Sequence, residues 1–263
     1  MRPSCADQRR SLPSPAGQKG TYIDLYPLDG AITTPSQCFN LITTIYKAIN
    51  IKTGKTVCLR RVHSFTLTKN GLDKNLLMKI KEWKQTNHSN IVKFYEVFIT
   101  KEFGDNSLVF VYDFHPASKT LLAQYYFNSN TSFSSKVAGS AVNRPYSQQQ
   151  QAQRQKLLPE QHIWSYIIQL LSALRAIHSK GLVARIVDVK KILITSGFPP
   201  SDNASHANQS VYPRIKLNCC CIMDVITNEL IREETSIQGA KNATLVSQKE
   251  DLLQAGKVGF VLL

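Results

Sequence analysis

Long apolar runs are missing from this sequence. No stretch of its 263 residues approaches the roughly 18 apolar residues that span a bilayer. Met1 to Gly20 is rich in Arg, Ser and Pro and lacks the apolar centre of a signal peptide, so a cytosolic or nuclear location is expected. Acid is also scarce: 18 Asp and Glu face 32 Lys and Arg, a formal charge of +14 that favours polyanionic partners such as RNA or nucleotide phosphate. Metal-ligand spacing is absent. The six cysteines, at 5, 38, 58, 219, 220 and 221, form no C-x-x-C pair and have no accompanying His. Three adjacent cysteines on a strand alternate between its faces, so buried, reduced thiols are expected rather than a zinc site.

What is present is a mixture of strand and helix patterns separated by polar segments. Residues 1–20 read as a disordered linker, and residues 128–156, rich in Ser, Asn and Gln, as a disordered insertion. Alternation over Thr43–Ile49 and Thr56–Val62, with a turn at Lys52–Lys55 that contains Gly54, predicts a β-hairpin. Leu76, Leu77, Ile80 and Trp83 stand at helical spacing within residues 73–86, and two strands follow at Lys93–Ile99 and Ser107–Tyr112. A longer helix runs from Pro159 through Ile177 and stops at Gly181, with His178 near its end as a dipole-stabilised, structural residue.

After that helix comes Leu182-Val183-Ala184-Arg185-Ile186-Val187-Asp188-Val189-Lys190-Lys191 and an apolar strand. The order resembles the catalytic segment of protein kinases, H-R-D-x-x-x-x-N, in which Asp takes the substrate hydroxyl proton and Asn holds magnesium. Here Ile186 stands at the base and Lys191 at the metal-ligating Asn. Isoleucine accepts no proton and lysine repels magnesium. The hairpin resembles kinase strands that end in V-A-I-K, with Arg60 at the lysine; Lys79 falls where its glutamate partner belongs, although Glu82 stands one turn on. Gly30 to Gln37 has one glycine and a proline where a phosphate-cradling G-x-G-x-x-G is expected, and Cys219-Cys220-Cys221 replace D-F-G. Thiols do not hold magnesium, a hard cation that prefers oxygen.

The fold class expected is therefore α+β, a bilobal protein kinase-like (pseudokinase) fold. Its parts are a small lobe over 21–112, a hinge and start of the large lobe over 113–127, and a partial large lobe over 157–263. The uncapped apolar finish at Phe260–Leu263 leads to the expectation of a large lobe truncated at the C-terminus.

Together V-C-L-R-R at 57–61, D-F-H-P at 113–116 and H-S-x-G-L-x-x-R-x-x-D-x-x-K-I-L-I-T at 178–195 resemble one family. It is the pseudokinase-bearing regulatory subunit of the cytoplasmic poly(A)-specific nuclease complex. The resemblance implies a catalytically inactive scaffold that binds ATP without hydrolysing it, with the magnesium requirement open. Its implied nucleotide-site residues are Arg60, the hinge run Asp113, Phe114, His115, Pro116, Ala117, Ser118, Lys119 and Thr120, and the pair Lys190 and Lys191. It implies as partners the catalytic nuclease subunit, poly(A)-binding protein and poly(A) mRNA, a homodimer in the full-length family, and a cytoplasmic location that includes P-bodies. The regions that dimerise and bind the nuclease are expected to lie beyond this chain. Two alternatives follow from the residues: a basic RNA-binding module indifferent to ATP, and an unconventional kinase that uses Asp188 and Asp224 as displaced carboxylates.

Overall fold

The computed structural model describes residues 11–13, 20–30, 34–65, 74–125, 158–195, 213–227 and 237–262. The predicted insertion at 128–156, most of the predicted linker, and Cys5 lie outside the described residues. Strands β1 (Tyr22–Pro27), β2 (Thr43–Asn50), β3 (Thr56–Val62), β4 (Phe94–Thr100) and β5 (Ser107–Asp113) form an antiparallel sheet in the order β1-β2-β3-β5-β4. The predicted hairpin is β2–β3. Gly54 takes φ 68, and Asn50 Oδ1 accepts from the Lys52 and Thr53 amides, which closes the turn.

Both faces of the sheet are covered. Helix α1 (Lys74–Gln85) buries Leu76, Ile80 and Trp83 in a core that also holds Phe94, Phe110 and Tyr112. On the other face Leu12, Tyr22, Leu25, Leu59, Phe98 and Val109 form a second cluster, in which Tyr22 stacks on Phe98 at 5.8 Å. Leu12 corrects the expectation of a linker up to residue 20. It bridges Tyr22 through two backbone hydrogen bonds and is fully buried, because it caps apolar side chains that the outer face of the sheet would otherwise expose.

The second lobe begins at strand β6 (Lys119–Thr120), followed by the short helix α2 (Leu121–Tyr125) and by α3 (Glu160–His178). Strands β7 (Ile192–Thr195) and β8 (Arg214–Leu217) complete a three-stranded sheet in the order β6-β7-β8. Helices α4 (Ile222–Thr227) and α5 (Ile237–Leu262) follow. The last helix, α5, thus runs for 26 residues. At Gly259 an added Cβ would lie 3.3 Å from Ile167 Cδ1, so glycine permits the close approach of α5 to α3.

The segment Asn90-Ile91-Val92 joins the lobes. Val92 N donates to Leu217 O and Leu217 N to Asn90 O, while Asn90 Nδ2 donates to Gln169 Oε1 and Ile215 O. The three cysteines do not lie on a strand, as expected, but on the turn between β8 and α4. Cys219 and Cys221 take φ 67 and 75, and all three thiols are buried. Among the described residues no helix is long and apolar enough to cross a membrane, and no cluster of His, Cys, Asp and Glu is placed to hold a metal ion.

Candidate functional site

Residues 182–191 run without regular structure between α3 and β7, anchored from below by α5. Asp251, fully buried, accepts from the Ala184 amide at 2.8 Å, the Arg185 amide at 2.8 Å and His178 Nε2 at 2.9 Å. Three donors satisfy a carboxylate that burial would otherwise penalise heavily. They also hold Arg185 at φ 61, a left-handed conformation costly for a residue with a Cβ. His178 is structural, as expected, but its partner is a carboxylate as well as a helix end.

Arg185 continues the chain of contacts. Its Nε donates at 2.9 Å to Oδ1 of the buried Asp224, whose Oδ2 accepts from Trp83 Nε1 at 2.7 Å. Asp224 thus ties α1, the loop and α4 together, and both its oxygens are engaged. Asp188 caps its own turn by accepting from the Lys190 amide. Asp224, with both oxygens engaged, is not free to serve as the displaced carboxylate of an unconventional kinase. Ile186, at the proton-acceptor position, is 7% exposed and belongs to the main apolar core.

Above the loop, between the lobes, Arg60 and Lys191 face one aromatic ring. The Arg60 guanidinium carbon is 5.7 Å and Lys191 Nζ 5.0 Å from the centroid of Phe39. Arg60 is only 5% exposed. Burial works against its charge, but Cys219, Cys58, Tyr112 and Asp29 around it hold it above its ordinary value. Burial pushes the Asp29 carboxyl up, and Arg60 and Lys191 draw it back only partly. The Cys58 thiol is pushed by burial up to about 11, so it is neutral at physiological pH. Lys79, at the glutamate position on α1, offers Arg60 no carboxylate.

The hinge residues are dispersed. Asp113 closes β5, accepts from Tyr95 at 3.2 Å and lies 3.8 Å from His115 Nε2. Burial and Lys216 push His115 below its usual value, and its Nε2 is buried without a hydrogen-bond partner. Phe114 lies 5.8 Å from Lys47 Nζ, Pro116 is exposed, and Ala117 takes φ 55 in a turn closed by Ser118 Oγ on His115 O. Lys119 and Thr120 pair with β7, and Thr120 Oγ1 caps α2. Lys190 reaches across the cleft to Gln37 Oε1. Of the residues implied for nucleotide binding, the structure thus gathers Arg60 and Lys191 around one ring. Phe39 and Asp251, which complete the arrangement, carry no motif signal, and Asp224, singled out in the sequence only as a displaced carboxylate, serves as an acceptor for Trp83 and Arg185.

The arrangement keeps the backbone of a phosphotransferase without its chemistry. Comparison with known proteins agrees: the protein kinase domain family matches residues 42–198. The chain is 34% identical over 260 residues to the PAN2-PAN3 deadenylation complex subunit pan3 of Xenopus tropicalis, covering 95% of this chain and 29% of that protein. It is 37% identical over 209 residues to the corresponding Drosophila melanogaster subunit, 78% of this chain and 24% of the relative. The solved Drosophila melanogaster PAN3 pseudokinase has a TM-score of 0.65 at 32% identity, over 92% of this chain and 51% of that one. Neurospora crassa PAN3 (pseudokinase and C-term), solved with PAN2 (WD40-CS1), has a TM-score of 0.66 at 30% identity, over 97% of this chain and 51% of that one. The chain spans under a third of these curated relatives and about half of the solved chains.

Proposed function

The chain belongs to the protein kinase domain family, where its relatives are PAN3 pseudokinases, and we propose that it is the nucleotide-holding scaffold region of a deadenylation-complex regulatory subunit. In this role it binds ATP without transferring its phosphate and helps recruit and activate the catalytic nuclease subunit that shortens mRNA poly(A) tails. Contact with poly(A)-binding protein and poly(A) mRNA, homodimerisation of the full protein, and a cytoplasmic, P-body location belong to the same proposal.

The observation that carries it is the pairing of a kinase-like backbone, among the described residues, with Ile186 buried, Lys191 at the metal-ligating position, and thiols where a carboxylate belongs. Proton transfer and magnesium coordination both lose their groups, yet two cations remain at the cleft to meet phosphate oxygens. A site built this way holds ATP without a divalent ion. The recruitment half is tested by purifying the full-length protein that carries this chain from cells. Co-purification of a poly(A) nuclease is expected, and its absence contradicts the scaffold role.

A further inference from the structure

Phe39 sits on a compact turn. Asn40 N and Phe39 N donate to Ser36 O, Ser36 N donates to Leu41 O, and Asn40 takes φ 53, so residues 36–41 form one self-closed unit. The unit carries three contacts into the cleft. Phe39, 5% exposed, packs in the main core with its ring against both Arg60 and Lys191. Gln37 accepts from Lys190 Nζ of the loop below, and the Cys38 thiol, pushed up by burial, lies within the field of Lys191.

A guanidinium that is 5% exposed and packed against a phenyl ring is shielded from a phosphate in the cleft, and the ring is one of the groups that shield it. We propose that the turn at residues 36–41 is a gate on the cleft, with Phe39 as its plug and the Gln37–Lys190 hydrogen bond as its latch. The proposal rests on the nucleotide-binding reading above. A polyphosphate entering the cleft exchanges cation–ring contacts for charge-assisted hydrogen bonds from the same two cations, and so displaces the plug. Until it does, only the open fraction of molecules is competent, and apparent affinity falls by that fraction. The gate also couples the two lobes, because the turn belongs to the small lobe and its latch to the large one. Nucleotide binding therefore changes the mobility of the small-lobe turn that faces the loop.

The test is calorimetric titration of ATP into this chain and into Phe39→Ala, both checked for a cooperative melt. Removing the plug is expected to tighten binding at least about tenfold. Equal affinities, or weaker binding by Phe39→Ala, overturn the gate while leaving ATP binding standing. No heat from either protein overturns the nucleotide reading and the gate with it. Phe39→Trp, which keeps a ring in the cleft, supplies a second measurement if the alanine variant does not fold. Its indole emission is expected to shift to the red when ATP saturates the site; an indole that stays buried in the presence of bound ATP overturns the proposal.

Discussion

Single side chains decide both what this molecule has lost and what keeps it in shape. Asp251 is the clearest structural one, since three donors converge on a carboxylate with no solvent to replace them. Asp251→Ala leaves those donors unpaired and is expected to cost about 3 kcal/mol in urea denaturation. The histidines set the acid limit. Burial, together with Arg61 for His63 and with Lys216 for His88 and His115, pushes all three below their usual value. A lowered histidine is neutral in the fold, so below about pH 6.5 the unfolded chain binds more protons and stability falls. The fall levels off once pH is below the folded values. Melting midpoints across pH 7 to 5 check this, and a midpoint rising over that range contradicts it. Asp105 acts only in stronger acid. Burial pushes it up, but hydrogen bonds from Ser107 and the Ser64 amide and the Arg61 guanidinium hold it at about 2. Its contribution is present above the ordinary carboxylate range and is lost as pH falls through about 2.

Elements meet through a few shared residues, and those contacts are where sequence reading stops. Asp224 receives Trp83 from α1 and Arg185 from the loop, 141 and 39 residues away along the chain. A double-mutant cycle between Trp83→Phe and Arg185→Ala is expected to show coupling of about 0.5 kcal/mol or more through that shared carboxylate; strict additivity contradicts it. Gly259 lets α5 lie against Ile167 of α3. Gly259→Val is expected to destabilise by about 1–3 kcal/mol, measured by denaturant midpoint, because a branched side chain must force the helices apart. Strands β2 to β5 and helices α1 and α3 were legible from periodicity and turn residues, since those signals are local. The start of α5, the burial of Leu12 and the turn of Cys219–Cys221 were not. Each depends on partners distant in sequence: α3 and the loop for α5, the outer sheet face for Leu12, Tyr112 Oη on Cys220 O for the turn.

At the scale of the whole molecule, two lobes are stitched by Asn90–Val92, by Asp224 and by the Gln37–Lys190 contact. The scaffold was readable because its replaced positions, Arg60, Ile186, Lys191 and Cys219, stand in an order few other folds impose. The cleft itself was only half readable, because Phe39 lies in a segment without a motif and acts by where the turn places it. The central claim is that this cleft holds ATP by cations alone and transfers nothing. Its most direct test is the thermal midpoint of this chain with millimolar ATP, measured with magnesium and again with a chelator, since a ligand bound to the folded state raises the midpoint. The account predicts an equal rise in both conditions. A midpoint that ignores ATP, or rises only with magnesium, contradicts it.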